Sequence, residues 1–68
     1  MTYIVIELQK TGDTLADIEF AYTDYNKALE KYYKVLAAAV VSTVDVHSAS
    51  LLDETGAVLL NESFNHTK

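Results

Sequence analysis

Polar and apolar positions alternate at the start of the chain. From Tyr3 to Gln9, Ile4, Ile6 and Leu8 fall on one side, and Tyr3, Val5, Glu7 and Gln9 on the other. A period of two is the signature of a half-buried strand. Lys10-Thr11-Gly12-Asp13 then offers turn chemistry. A second alternation sets Ala16, Ile18, Phe20 and Tyr22 against Asp17, Glu19 and Ala21. The two runs predict a β-hairpin.

The period changes at Thr23. From there to Val41 the apolar residues recur at helical spacing: Tyr25, Leu29, Tyr32, Leu36 and Ala39 or Val40 form one stripe. Ala28, Val35 and Ala38 widen it, while Tyr33 and Ala37 lie outside. Thr23 or Asp24 is a suitable N-cap, and Asp24 also suits the positive end of the helix dipole. Lys27, Lys31 and Lys34 mark the polar side, and Glu30 and Lys34 have the spacing of a favourable i, i+4 pair. No glycine stops the helix before Ser42 and Thr43.

The remaining residues predict a second hairpin. Asp53-Glu54-Thr55-Gly56 fits a type I turn with Gly56 in the left-handed position, forming a bulge. Pairing Asp53 with Ala57 then sets the register. It puts Val44, Val46, Ser48, Ser50 and Leu52 on a face with Val58, Leu60, Glu62, Phe64 and His66. Thr43, Asp45, His47, Ala49, Leu51, Leu59, Asn61 and Ser63 fall on the opposite face. A slip of one residue would exchange the two faces.

The order is therefore ββαββ. The expected fold is α+β, a four-stranded and mostly antiparallel sheet with one helix packed on one face, in a single domain over residues 1–68. The other face is expected to mix acids (Glu7, Asp17, Glu19, Asp45) with apolar Tyr3, Val5, Leu51 and Leu59. With lysines on the far side of the helix, such a protein is acidic on its sheet and basic on its helix.

Size and composition sharpen this picture. A chain of 68 residues buries only about 60% of its unfolded surface. Proteins this small usually add a disulfide, a metal or further subunits. There are no cysteines, and two histidines, His47 and His66, are too few for a structural zinc site without carboxylates. No metal and no cofactor is expected. Self-association is the remaining support, and half of the residues are hydrophobic. A homodimer or higher oligomer is the expectation.

Ten acids against five lysines, with no arginine, give a formal charge of −5. That balance argues against direct nucleic-acid binding through phosphates and suits a basic protein surface. No apolar run reaches the roughly 18 residues that span a bilayer. Met1 leads straight into the alternating run without a basic n-region. The protein is expected in the cytoplasm, away from membranes. The glycosylation sequons at Asn61 and Asn65 then carry no meaning.

Chemistry-bearing groups are sparse. Asp45-Val46-His47 puts a carboxylate and an imidazole on one strand face, an arrangement able to orient a histidine. His47 and Ser48 are neighbours on a strand and point oppositely. Ser48, Ser50 and Glu62 fall on the predicted core face, where they would form a small polar pocket able to hold a polar ligand. Both glycines serve turns, so no phosphate loop exists. No nucleophile, base and metal set assembles, and no enzymatic activity is expected. Tyrosine is enriched at interfaces because it covers much area at low entropic cost. Tyr22 and Tyr33 are therefore expected contacts for a partner or ligand, with Asp45, His47, Leu51 and Leu59 on the outer sheet face.

Four segments carry a resemblance: Ala21 to Ala28, Lys31 to Ala39, Val46 to Ala49, and Glu62 to His66. They resemble small proteins of unassigned function encoded by phages and prophages of gut-associated Gram-positive bacteria. The resemblance implies a phage accessory role in the cytoplasm of the bacterial host. Small acidic phage proteins of this kind often inhibit host defence, by blocking a protein or by sequestering a nucleotide signal. The implied partners are the chain itself and a host or phage protein. The alternative is an oligomeric sponge for a small nucleotide or polar metabolite. No functional residue transfers from this group.

Overall fold

The computed structural model describes residues 1–67. Strand β1 (Tyr3–Thr11) and strand β2 (Thr14–Tyr22) pair antiparallel across a two-residue link, Gly12-Asp13. Gly12 has a φ of 58°, and Asp13 stays at negative φ. Positive φ at the first central residue alone is the pattern of a II′ turn, whose twist matches the flanking strands. Helix α1 (Tyr25–Val40) follows, then β3 (Val46–Asp53) and β4 (Val58–Asn65). The strands form one antiparallel sheet in the order β2-β1-β3-β4, with the helix on one face. The ββαββ, α+β architecture expected from the pattern is the one adopted.

Asp24 caps the helix, its Oδ1 accepting from the Asn26 amide at 2.9 Å. This satisfies one of the donors a helix start leaves unpaired. Ala28, Tyr32, Val35 and Ala39 are buried, and Leu29 and Leu36 flank them. Tyr25 stays partly exposed and meets Tyr3 edge to face at 5.2 Å. Lys31 does not stand in the polar row with Lys27 and Lys34. Its Nζ lies over the Phe20 ring, 4.1 Å from the centroid. Glu30 and Lys34 do not form an ion pair; among the described residues the one close contact between a basic nitrogen and a carboxylate is His47 Nε2 to Glu7 Oε2.

The helix crosses the sheet from corner to corner. It begins just beyond Tyr22, at the end of the β2 edge. Near its other end, Ala39 O accepts from His66 Nε2 at 3.0 Å, just past the end of the β4 edge. A diagonal helix leaves two corners of its own face bare. Ile18, on that face in β2, is accordingly 48% exposed.

The faces of β1 and β3 differ from the expected ones. Val5, Ala49 and Leu51 are fully buried against Ala28, Tyr32 and Val35, with Tyr3, Phe20, Tyr22 and Leu60 around them. The residues expected outside, Tyr3, Val5, Glu7 and Leu51, lie under the helix. Ile4, Ile6, Leu8, Val46, Ser48, Ser50 and Leu52 face away from it. For β1 the cause is the two-residue link, which sets Val5 beside Phe20 and Glu7 beside Ile18, so β1 turns its Tyr3–Val5–Glu7 side to the face of Ile18, Phe20 and Tyr22; for β3 the cause is one extra residue in β4. The turn forms as expected, with Asp53 N donating to Ala57 O at 3.0 Å and Gly56 at φ 88°. Leu52 pairs with Val58, but Leu51 pairs with Leu60, so Leu59 is inserted as a bulge. A single bulged residue reverses the facing of everything beyond it. Leu60, Glu62 and Phe64 stay on the helix face as expected, now opposite Leu51, Ala49 and His47.

Candidate interaction surfaces

His47 lies near the start of β3, beneath the C-terminal half of the helix, and is 4% exposed. Its Nε2 lies 2.7 Å from Glu7 Oε2, 40 residues away in sequence. Gln9 Nε2 donates to the same oxygen at 3.3 Å. The two strands bring this cluster together through the pairs Glu7↔Ala49 and Gln9↔His47. The Glu7 carboxylate oxygen is shared by both side chains, and this fixes the orientation of the His47 ring. The Nδ1 is buried and makes no hydrogen bond. Among the described residues no hydroxyl bonds to the ring, and solvent scarcely reaches it. The cluster ties β1 to β3.

Asp45 is not the partner of His47. Its Oδ2 accepts from the Gly12 amide at 2.7 Å, and its carbonyl accepts from the His66 amide at 2.7 Å. It pins the first turn and the chain end to the start of β3. His47 and Leu51 were both expected as contacts on an outer face; both are buried, and Leu51 has no exposed surface. Tyr22 is half-buried against the core. Two of the expected contacts stand free: Tyr33, 56% exposed and edge to face with Tyr32 at 5.4 Å, and Leu59, 43% exposed. Tyr32, in contrast, is buried. Desolvation first, then the charge of Glu62 and the neighbouring Tyr33, push its phenol above the ordinary value near 10.

The expected polar pocket does not assemble. Ser48 and Ser50 face away from the helix, whereas Glu62 is exposed on the helix side. Ser50 Oγ instead accepts from Asn61 Nδ2 at 2.7 Å. No pocket is present among the described residues. Nor do three His, Asp or Glu side chains come together among them. No helix of the described residues is long and apolar enough to cross a membrane.

The sheet face away from the helix is the open surface expected from the sequence, but other residues line it. Ile4, Ile6 and Leu8 run along its central strand β1, and Leu52 and Val46 bracket β3. Leu15, Val58 and Leu59 are exposed at its margins. Asp17 and Glu19 stand on the β2 edge; Asn61 and Ser63 stand on the β4 edge. The signal was available. Ile4, Ile6 and Leu8 are an apolar stripe of their own, but a stripe does not say which face the helix covers. Scans against family models, curated proteins and solved structures return no match for this chain.

Proposed function

We propose that this chain is a non-enzymatic, self-associating interaction protein that acts by binding another protein. The observation that carries the reading is the uncovered sheet face. One helix shields only one side, and the exposed side has Ile4, Ile6 and Leu8 along its central strand. An apolar face of this kind on so small a domain is an association surface. The resemblance to phage and prophage proteins extends the proposal: a cytoplasmic accessory protein that blocks a host-defence protein. The exposed Tyr33, beside the lysine-bearing side of the helix, is the surface left for that target. The nucleotide-sponge alternative has less to stand on, because Ser48 and Ser50 do not share a face with Glu62.

Sedimentation velocity tests the self-association. The protein is expected to run as a dimer or larger species at micromolar concentration. Ile6→Lys, which leaves the helix side intact, is expected to raise the dissociation constant about tenfold or more while the circular dichroism is unchanged. One such tenfold step corresponds to about 1.4 kcal/mol. A wild-type monomer at these concentrations would overturn the reading.

A further inference from the structure

The geometry points to a second copy of this chain as the cover of the open sheet face, stacked face to face about a twofold axis that runs parallel to the strands. This rests on the self-association proposed above and specifies its arrangement.

Three observations select it. The first is area. Four strands about 4.8 Å apart and about eight residues long at about 3.3 Å per residue make a face of roughly 500 Å². Two copies then bury roughly 1,000 Å², the lower bound for a specific interface. The face is large enough only if nearly all of it is used, which an aligned sheet-on-sheet stack achieves.

The second is that the sheet edges oppose the competing arrangement. An antiparallel β2-to-β2 junction centred on Ile18 would set Asp17 opposite the partner's Glu19. Moving the centre to Asp17 or Glu19 would set each acid opposite its own copy. Like charges directly opposite are unfavourable, and charges on an edge strand are a common guard against such pairing. The β4 edge carries a bulge at Leu59, near its start, which leaves the six residues from Leu60 to Asn65 as its regular edge.

The third is the distribution of polarity across the open face. Strand register sets Asp17, Leu8, Ser48 and Ser63 at one level, and Glu19, Ile6, Ser50 and Asn61 at the next. The acids stand on one edge, and the neutral hydroxyl and amide on the other. A twofold axis along the strands lays β2 of one copy over β4 of the other. Asp17 then approaches the partner's Ser63, whose hydroxyl can donate to it, and Glu19 approaches the neutral amide of the partner's Asn61, which already donates to Ser50 Oγ. Ile4, Ile6, Leu8 and Lys10 of β1 lie over Leu52, Ser50, Ser48 and Val46 of the partner copy. A twofold axis across the strands would instead stack β2 on β2 and acid on acid. Closed twofold symmetry also explains how an exposed apolar face is used without open-ended growth.

Opposite substitutions at Ser63, an exposed position, separate the two axes by sign. With the axis along the strands, Ser63→Lys faces the partner's acids and is expected to tighten the dimer about threefold to tenfold at low ionic strength. Ser63→Asp is expected to loosen it by a similar factor, and adding Asp17→Lys to Ser63→Asp is expected to restore wild-type affinity. Dissociation constants come from sedimentation equilibrium, with circular dichroism confirming that each variant is folded. If both Ser63 variants weaken the dimer, or neither changes it, the arrangement is overturned while self-association stands. A monomeric wild type overturns both.

Discussion

Leu51 and Leu52 are chemically identical neighbours with different fates. Leu51 has no exposed surface and lies under the helix, opposite Leu60; Leu52 faces the other way. Removing buried methyl groups costs both transfer free energy and a residual cavity. Leu51→Ala is expected to lower stability by about 2–5 kcal/mol, read from urea denaturation. If the variant is too unfolded to measure, Leu51→Val serves as the milder test. A loss under about 1 kcal/mol would place Leu51 outside the core and restore the register expected without the bulge. At this scale sequence reasoning was weakest. The run from His47 to Leu52 has apolar residues at both parities, so Leu51 and Leu52 compete for one interior. His47 and Glu7 meet only because β1 and β3 pair, across 40 residues that no local pattern links.

At the level of elements, the β3–β4 turn sets the register of the second hairpin, and Asp53 is its hub. The Asp53 Oδ1 accepts from the Thr55 hydroxyl, from the Thr55 amide at 2.8 Å and from the Ala57 amide at 3.2 Å. These bonds, led by the Thr55 hydroxyl, hold the carboxyl below its ordinary value near 3.8. A lowered folded-state pKa contributes stability that is present above the unfolded value and lost as pH falls through the folded one. Asp53→Asn is therefore expected to melt at a lower temperature than wild type at pH 7. The gap should close as pH drops below about 3.8. A gap that persists at low pH would mean that ionisation at Asp53 does not support the turn. The turn itself was legible because Asp, Thr and Gly sit at the positions their geometry requires. The helix was legible for a similar reason, with a capping Asp24 and an uninterrupted period. The bulge at Leu59 was not, since Val58-Leu59-Leu60 has no glycine or polar residue to mark the extra position.

For the whole molecule, the deciding relation is one helix to four strands. The helix lies diagonally and covers β3 most fully, leaving the opposite sheet face to water or to another chain. If that face is closed by a second copy, folding and association are linked by mass action. The melting temperature should then rise with protein concentration, by an amount that Ile6→Lys abolishes. A melting temperature independent of concentration over two decades would count against a dimer that contributes to stability. The acidic sheet face expected from the pattern is correspondingly reduced. Glu7 lies on the helix side, Asp45 is tied to Gly12, and only the β2 edge carries acid on the open face.

Sequence alone determined the order of elements, the positions of both turns, the helix with its cap, and the faces of β2. Each of these rests on interactions between residues near one another in the chain, so local period and turn chemistry suffice to read it. The buried helix stripe centres on Ala28, Tyr32, Val35 and Ala39, with Tyr25 outside it. Tertiary structure decided which side of β1 and β3 the helix covers. It also decided that Asp45 and His47 part company, and that Ile4, Ile6 and Leu8 are left outside. Those outcomes depend on pairing between distant segments, and a period of two makes the two faces equivalent until a single inserted residue separates them.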